Sequence, residues 1–265
     1  MRRLLLLTVL ILTFVASNGQ LRKAIICLTY DDALESQLTN AIPQLDSNGF
    51  KATFFINSIP GSSEIFAQGS SSFLNWRKAA ANGHELANHT LFHPCPEKLG
   101  WQKDIALETY TLDQLLAEIE TATVYLSQID HKTEKRSFAF PCNNTIVRGI
   151  DYSKKLKERN MVAFARAGGD KSSILPDLKK IDPMQVPSWH VMESTTAEEL
   201  IAFAEAVKKV KGMGVYQFHG IGGPLFTISK ETHRQFLHYL KTNENDFQIM
   251  TFSDAMEFVS NLSAK

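Results

Sequence analysis

The sequence carries no excess of charge of either sign. Its 265 residues hold 28 lysines and arginines against 28 aspartates and glutamates, mixed along the chain. That balance leaves no electrostatic footprint for nucleic acid or an anionic membrane, and it suits a neutral partner such as a sugar polymer. No proline-rich or glycine/serine-rich linker interrupts the chain, so residues 20–265 read as one domain, long enough for a full hydrophobic core. Cysteine is scarce. Cys27, Cys95 and Cys142 are the only three, and in an oxidising compartment an odd number leaves at least one unpaired. Cys27 lies within an apolar run and reads as a small buried hydrophobe.

Long apolar stretches are absent except at the start. Met1-Arg2-Arg3 precedes a run from Leu4 to Val15 broken only by Thr8 and Thr13, and Ala16 to Gln20 are small or polar. A positive end, a short apolar core and a small-residue exit read as a secretory signal peptide over residues 1–19, cleaved after Ser17 or Gly19. An uncleaved anchor is the alternative, although the core is short for a membrane span. No cysteine stands at the exit, which argues against a lipid anchor. The expectation is export to the periplasm or the extracellular space, with no stable membrane span after cleavage.

Two-residue hairpin turns are also missing. Strand-like segments at 24–28, 51–57, 84–88, 137–141, 161–165, 185–189, 214–219 and 247–251 alternate with helical segments about every thirty residues. The helix from Thr111 to about Ile129 is the clearest: Thr111 and Gln114 form a capping box, and Leu112, Leu115, Leu116, Ile119 and Leu126 mark one apolar face. Thr196 and Glu199 cap another. Residues 58–72 and 168–182 read as loops. Parallel strands joined by helices give an α/β fold, either an open doubly wound sheet or a (β/α) barrel, and seven to eight units favour the barrel.

The chemistry-bearing residues fall where those strands end. His89 and His93 stand four residues apart in Asn88-His89-Thr90-Leu91-Phe92-His93-Pro94, a spacing that on one helical turn puts both imidazoles on one face. Two histidines plus a carboxylate suit a first-row divalent ion with a position left for water. Alone, such a pair is equally a chance feature of a wet surface. Asp31 and Asp32 directly follow the first apolar strand, and adjacent carboxylates call for a nearby cation, unless one of them merely caps the next helix. Pro141-Cys142-Asn143, Trp189 and His219 close three further strands. Convergence on one rim, where (β/α) barrels carry their active sites, weighs against coincidence.

These residues resemble the polysaccharide deacetylases of carbohydrate esterase family 4, whose nodulation-type domain is a distorted (β/α) barrel. The resemblance spans about Ala24 to Val259 and rests on Thr29-Tyr30-Asp31-Asp32, on Gly83 through Pro94, and on Phe218-His219-Gly220. It implies that Asp31 is the general base, that Asp32, His89 and His93 bind one divalent ion, zinc first with cobalt or nickel as alternatives, and that His219 is the general acid. It also implies an oxyanion donor at the Cys142 backbone N–H in a loop fixed by Pro141, and a Trp189 that seats the acetyl group, with ordinary core packing as the alternative. His84, His190, His233 and His238 receive no role.

Two positions depart from the family pattern. Its usual base-tethering arginine is replaced by Ala139, and its aspartate before the tryptophan by Ser188. Arg166, at the end of the fifth strand, is long enough to reach back and is expected to supply the tether to Asp31. A Cys95–Cys142 disulfide is also expected, since both cysteines lie in rim loops of neighbouring strands. The implied function is a secreted, metal-dependent hydrolase that removes acetyl groups from N- or O-acetylated carbohydrate. The alternatives are an acetylxylan-type esterase and a weakened carbohydrate-binding relative that keeps the metal.

Overall fold

Period-two alternation along β1 (Ala24–Asp31) sorts the molecule into two layers. In this computed structural model, which describes residues 23–57 and 73–263, all eight residues of β1 are buried. Ala24, Ile26, Leu28 and Tyr30 join the packing between sheet and helices, while Ile25 and Cys27 join a separate cluster inside the barrel. The same alternation carries Asp31 to the inner face at the strand's carboxyl end. The expected signal peptide and the expected loop 58–72 lie outside the described residues.

A π-helical turn, Gln37–Ala41, continues into α1 (Ile42–Ser47), and β2 (Thr53–Ile56), α2 (Phe73–Ala81) and β3 (Glu85–Asn88) follow. The long α3 (Leu112–Asp130) opens with the Thr111/Gln114 capping box and leads to β4 (Phe138–Ala139). After a small hairpin, Ile146–Val147 with Ile150–Asp151, come α4 (Tyr152–Glu158), β5 (Ala165–Arg166), β6 (Ile174–Leu175) and β7 (Trp189–His190). Finally α5 (Ala197–Val210), with its Thr196/Glu199 box, precedes β8 (Met213–Phe218), α6 (Lys230–Thr242), β9 (Phe247–Met250) and α7 (Phe252–Ser263).

The fold is a distorted (β/α) barrel. Parallel pairing runs β5-β4-β3-β2-β1-β8-β7, and a bridge between Arg166 and Val186 joins the two ends. The distortion has a clear origin in β1. Its one edge pairs with β8 over Ile25 to Tyr30, whereas the other pairs with β9 from Ala24 to Cys27 and with β2 from Thr29 to Asp31. One exception to parallel pairing is β6, which lies in the stretch expected to be loop and runs antiparallel beside β8. The fifth strand is shorter than expected, reduced to Ala165–Arg166. Among the described residues no helix is long and apolar enough to cross a membrane.

The barrel interior is two-tiered. Ile25, Cys27, Met213, Val215, Phe252 and Met256 fill its floor with apolar side chains. Above them the lumen turns polar. Outside, Tyr30, Phe54, Tyr216, Phe218 and Phe236 pack between sheet and helices, and within this layer His233 sits fully buried. Its Nε2 accepts from the Tyr30 hydroxyl at 2.7 Å, and its Nδ1 lies 2.7 Å from Gln44 Oε1, a pairing that suits a neutral ring donating from Nδ1.

Burial pushes His233 down to about 3, whereas the unfolded chain's histidine titrates near 6.5. The unfolded state therefore binds this proton first, so the stability that the neutral ring contributes is complete above pH 6.5 and is lost as pH falls towards 3. Denaturant midpoints of wild type should accordingly drop faster between pH 6.5 and 4.5 than those of His233→Gln, in which other histidines titrate equally. Parallel curves would show that His233 is not the group responsible.

Candidate active site

The polar tier is assembled from the carboxyl ends of five strands and the residue that leads into a sixth. Asp31 ends β1, Asn57 follows β2, His89 follows β3, Arg166 ends β5, Ser188 precedes β7, and Gln217 and His219 lie at the end of β8. All are buried.

Arg166 reaches Asp31. Its Nη2 donates to Asp31 Oδ2 at 2.5 Å, its Nη1 donates to Ser188 Oγ at 3.2 Å, and its guanidinium lies over the Phe55 ring, 4.8 Å from the centroid. Gln217 Nε2 donates to the same Asp31 oxygen at 3.0 Å. Asp31 Oδ1 has no hydrogen-bond partner among the described residues. Burial would raise the Asp31 pKa, but Arg166, with His89 and His219 adding to it, overrides burial and holds the carboxyl at about 2. Ala139 is the register partner of Arg166, so the arginine stands one strand further round the barrel than the family pattern places it.

Asp32 behaves oppositely. Burial, reinforced by the neighbouring Asp31, pushes its carboxyl well above the usual range despite a 2.9 Å hydrogen bond from Asn57 Nδ2 to Oδ1. Oδ1 lies 3.6 Å from His89 Nε2 and 3.5 Å from His93 Nε2, and those nitrogens are 3.1 Å apart. A tetrahedral ion with bonds of about 2.0–2.1 Å separates its ligands by about 3.3 Å, so this set has the dimensions of a metal face. The donor chemistry also fits. Burial lowers the pKa of both imidazoles, and His89 Nδ1 donates to the Ala139 carbonyl at 2.8 Å, which leaves its Nε2 with a lone pair towards Asp32.

The histidine segment is not the helical turn that its spacing suggests. Residues 89–93 form an irregular loop in which Thr90 and His93 have φ of 62° and 51°. Side chains of its neighbours hold it. Asn88 Oδ1 accepts from Thr90 N, Thr90 Oγ1 accepts from His93 N, and Glu118 Oε1 on α3 accepts from Leu91 N and Phe92 N at 3.1 and 2.8 Å. Asp32, Ala33, Cys142 and Asn143 also adopt positive φ, from 49° to 78°. Strain of this kind costs on the order of 1–3 kcal/mol per residue and is concentrated where side chains must be aimed.

His219 completes the cluster, with Nε2 3.7 Å from Asp32 Oδ2 and 4.0 Å from Asp31 Oδ2; burial pushes its pKa down to about 3. Cys142 and Pro141 occupy a short turn after β4, and Cys142 is bridged to Cys95 with a Cα separation of 5.8 Å. Trp189, by contrast, does not line this site. Its ring packs in the outer layer against Phe203 and Tyr216 with 3% exposure, because alternation along β7 turns Ser188 and His190 inward and Trp189 out.

Several members of the site lie outside the motifs that the sequence offers. Gln217 sits two residues before His219, so period two could have placed it on the same face. Glu118 interrupts the apolar face of α3, a charge on a buried stripe that signals a buried partner. Gln37, whose Nε2 donates to the carbonyls of Asp31 and His219, had no signal, because its position depends on the π-helical winding. Trp101, 5.6 Å from the His93 ring, lay in a loop without pattern.

A distorted (β/α) barrel with carboxylates and imidazoles gathered at its carboxyl rim is the architecture of carbohydrate-deacetylating hydrolases. The chain belongs to the polysaccharide deacetylase family, whose model matches residues 18–159. No curated protein matches it by sequence. Among solved structures it is similar to the family 4 carbohydrate esterase domain of a multidomain xylanase from the hindgut metagenome of Trinervitermes trinervoides, at 16% identity over 90% of this chain and 92% of that one, TM-score 0.56. It is similar also to a family 4 acetyl xylan esterase from Clostridium thermocellum solved with a cobalt ion, at 17% identity over 88% and 91%, TM-score 0.52. A family 4 pseudoenzyme from Bacillus anthracis matches at 13% identity over 88% and 66%, TM-score 0.54. Identities this low speak for the fold alone.

The disulfide closes a sequence separation of 47 residues between two loops of the rim. Thiol counting on denatured, unreduced protein should find a single free thiol, Cys27, and three would remove the bridge. Replacing both bridged cysteines by serine should lower unfolding stability by up to about 4 kcal/mol, the chain-entropy value for a loop of this length.

Proposed function

We propose that this protein is an exported, metal-dependent deacetylase that removes acetyl groups from N- or O-acetylated carbohydrate. The observation that carries the reading is the buried Asp32, His89 and His93 set at tetrahedral ligand spacing, with the arginine-held Asp31 beside it. Asp32, His89 and His93 are the residues to hold the ion, zinc by donor type, with cobalt or nickel as alternatives. Such an ion polarises an acetyl carbonyl and activates a water molecule.

The chain's own groups supply the rest. Asp31 is ionised at neutral pH and presents its unpartnered Oδ1 as general base, while Oδ2 is occupied by Arg166 and Gln217 and fixes the carboxylate's orientation. His219 Nε2, on the other side of Asp32, is the donor to the departing amine or hydroxyl. The Cys142 N–H is the donor for the oxygen that gains negative charge, on a turn braced by the disulfide and by Pro141.

An acetylxylan-type esterase remains the reading nearest to this one, and the acetyl xylan esterase among its structural neighbours supports it. The contact from Arg166 argues against a relative that merely binds carbohydrate, because metal binding does not require an anchored Asp31.

Purified protein should bind about one divalent ion per chain, and His89→Ala/His93→Ala should lose it while keeping its fold; unchanged metal content would rule out this ligand set. Acetate release from acetylated oligosaccharides should stop on chelation, and comparing amide with ester substrates separates deacetylase from esterase. Arg166→Met should lower turnover about a hundredfold, the scale of one well-aimed active-site group, with metal content retained. Near-wild-type turnover would mean that Asp31 needs no tether.

A further inference from the structure

His219 lacks a partner for its second nitrogen. Its Nδ1 is buried with no hydrogen-bond partner among the described residues, and the same holds for Nε2 of His190. The two rings are neighbours, with centroids 5.0 Å apart and planes tilted by 47°. The two nitrogens are not bonded to each other in this structure, so pairing them takes a rotation of one ring about its side-chain torsions.

The placement follows from register. His190 pairs with Gln217 across β7 and β8, so both side chains enter the barrel lumen, and His219 follows two residues later on that face. Phe226 covers the pair, its ring 5.2 Å from each imidazole at steep angles. It is held there by a tight loop. Gly220 N donates to Leu225 O at 3.0 Å, and a Cβ at Gly220 would come within 2.2 Å of the Pro224 carbonyl. Leu225 and Phe226 both have positive φ, 65° and 41°. The loop thus spends backbone strain on keeping an aromatic edge over two histidines. Ser188, the residue two before His190, is turned to Arg166, Ala167 and Gln217, and no bond links it to His219.

We propose that His190 is a positioning residue for His219: with one ring rotated, its Nε2 lone pair accepts from His219 Nδ1–H and thereby aims His219 Nε2 at the leaving group. This rests on the proposed function, in which His219 protonates that group. Whenever His219 holds the proton that it passes on from Nε2, both of its nitrogens bear hydrogen, and the Nδ1–H then requires an acceptor. A neutral imidazole in the tautomer with a bare Nε2 is one.

The test compares His190→Phe, which keeps a ring and removes both nitrogens, with His190→Gln, which retains a group able to accept. In zinc-supplemented protein, His190→Phe should lower kcat on an acetylated oligosaccharide at least tenfold, within the usual contribution of a positioned acid, with KM and bound zinc unchanged. Turnover of 4-nitrophenyl acetate should stay within twofold, since nitrophenolate departs without protonation. His190→Gln should recover part of the lost kcat. An unchanged kcat on the oligosaccharide, or equal losses on both substrates, would overturn the proposal. A second readout does not depend on activity: the ¹⁵N signal of His219 Nδ1 should shift in His190→Phe and less in His190→Gln. If wild type hydrolyses neither substrate, the proposed function fails, and the ¹⁵N signal alone decides the contact: a shift supports it, and an unmoved signal refutes it.

Discussion

Asp31 is a fully buried carboxylate next to a second buried carboxylate, and the Arg166 guanidinium that neutralises it is itself fully buried. Removing one partner of such a pair strands the other charge and costs about 3–5 kcal/mol, so neither residue is free to vary alone. The surroundings are arranged accordingly. Phe55 supplies a ring face to the guanidinium, Ser188 and Gln217 take up part of the remaining hydrogen-bonding capacity, and Gln37 ties the backbone of Asp31 to that of His219. With Arg166 committed to Asp31, the burden of burial falls on Asp32, whose carboxyl rises while its neighbour's falls. A divalent cation between Asp32 and two neutral imidazoles would relieve that burden.

The histidine loop depends on a different anchor. Its irregular path brings His89 and His93 Nε2 within 3.1 Å of each other, and a chain with two left-handed residues holds that path only because Asn88, Thr90 and Glu118 satisfy its N–H groups. Glu118 is buried on α3, so a helix on the barrel's outside sets the geometry at its rim. The Cys95–Cys142 bridge then ties the segment following His93 to the turn carrying the proposed oxyanion donor. Both sides of the proposed reaction centre are fixed to the same frame.

Ala139 and Ser188 look like losses when the sequence is set against the family pattern, and the structure gives them another meaning. An arginine at position 139 would stand beside Arg166 in the register and compete for the same carboxylate, so a small residue there is compatible with the arginine one strand further on. Ser188 accepts from that displaced arginine. The side of the proposed base is therefore rearranged, whereas on the side of the proposed acid His219 Nδ1 has no carboxylate partner among the described residues.

The sequence by itself determined the local and periodic features. The apolar run from Ala24 placed β1 and set Asp31 at its end, the two capping boxes set the starts of α3 and α5, and apolar stripes marked the helix faces, because each depends on residues within one or two turns of chain. Strand ends predicted which segments meet at the rim, and side-chain length made Arg166 a plausible reach to Asp31. Tertiary structure decided the remainder. Trp189 had a suitable motif but faces outward, since one residue of register exchanges lumen for outer layer. The His89–His93 spacing suggested a helical turn, yet buried hydrogen bonds from α3 and β3 impose a loop. Gln37, Glu118 and His190 contact residues 26 to 182 positions away in the chain, and no local pattern reports contacts of that range.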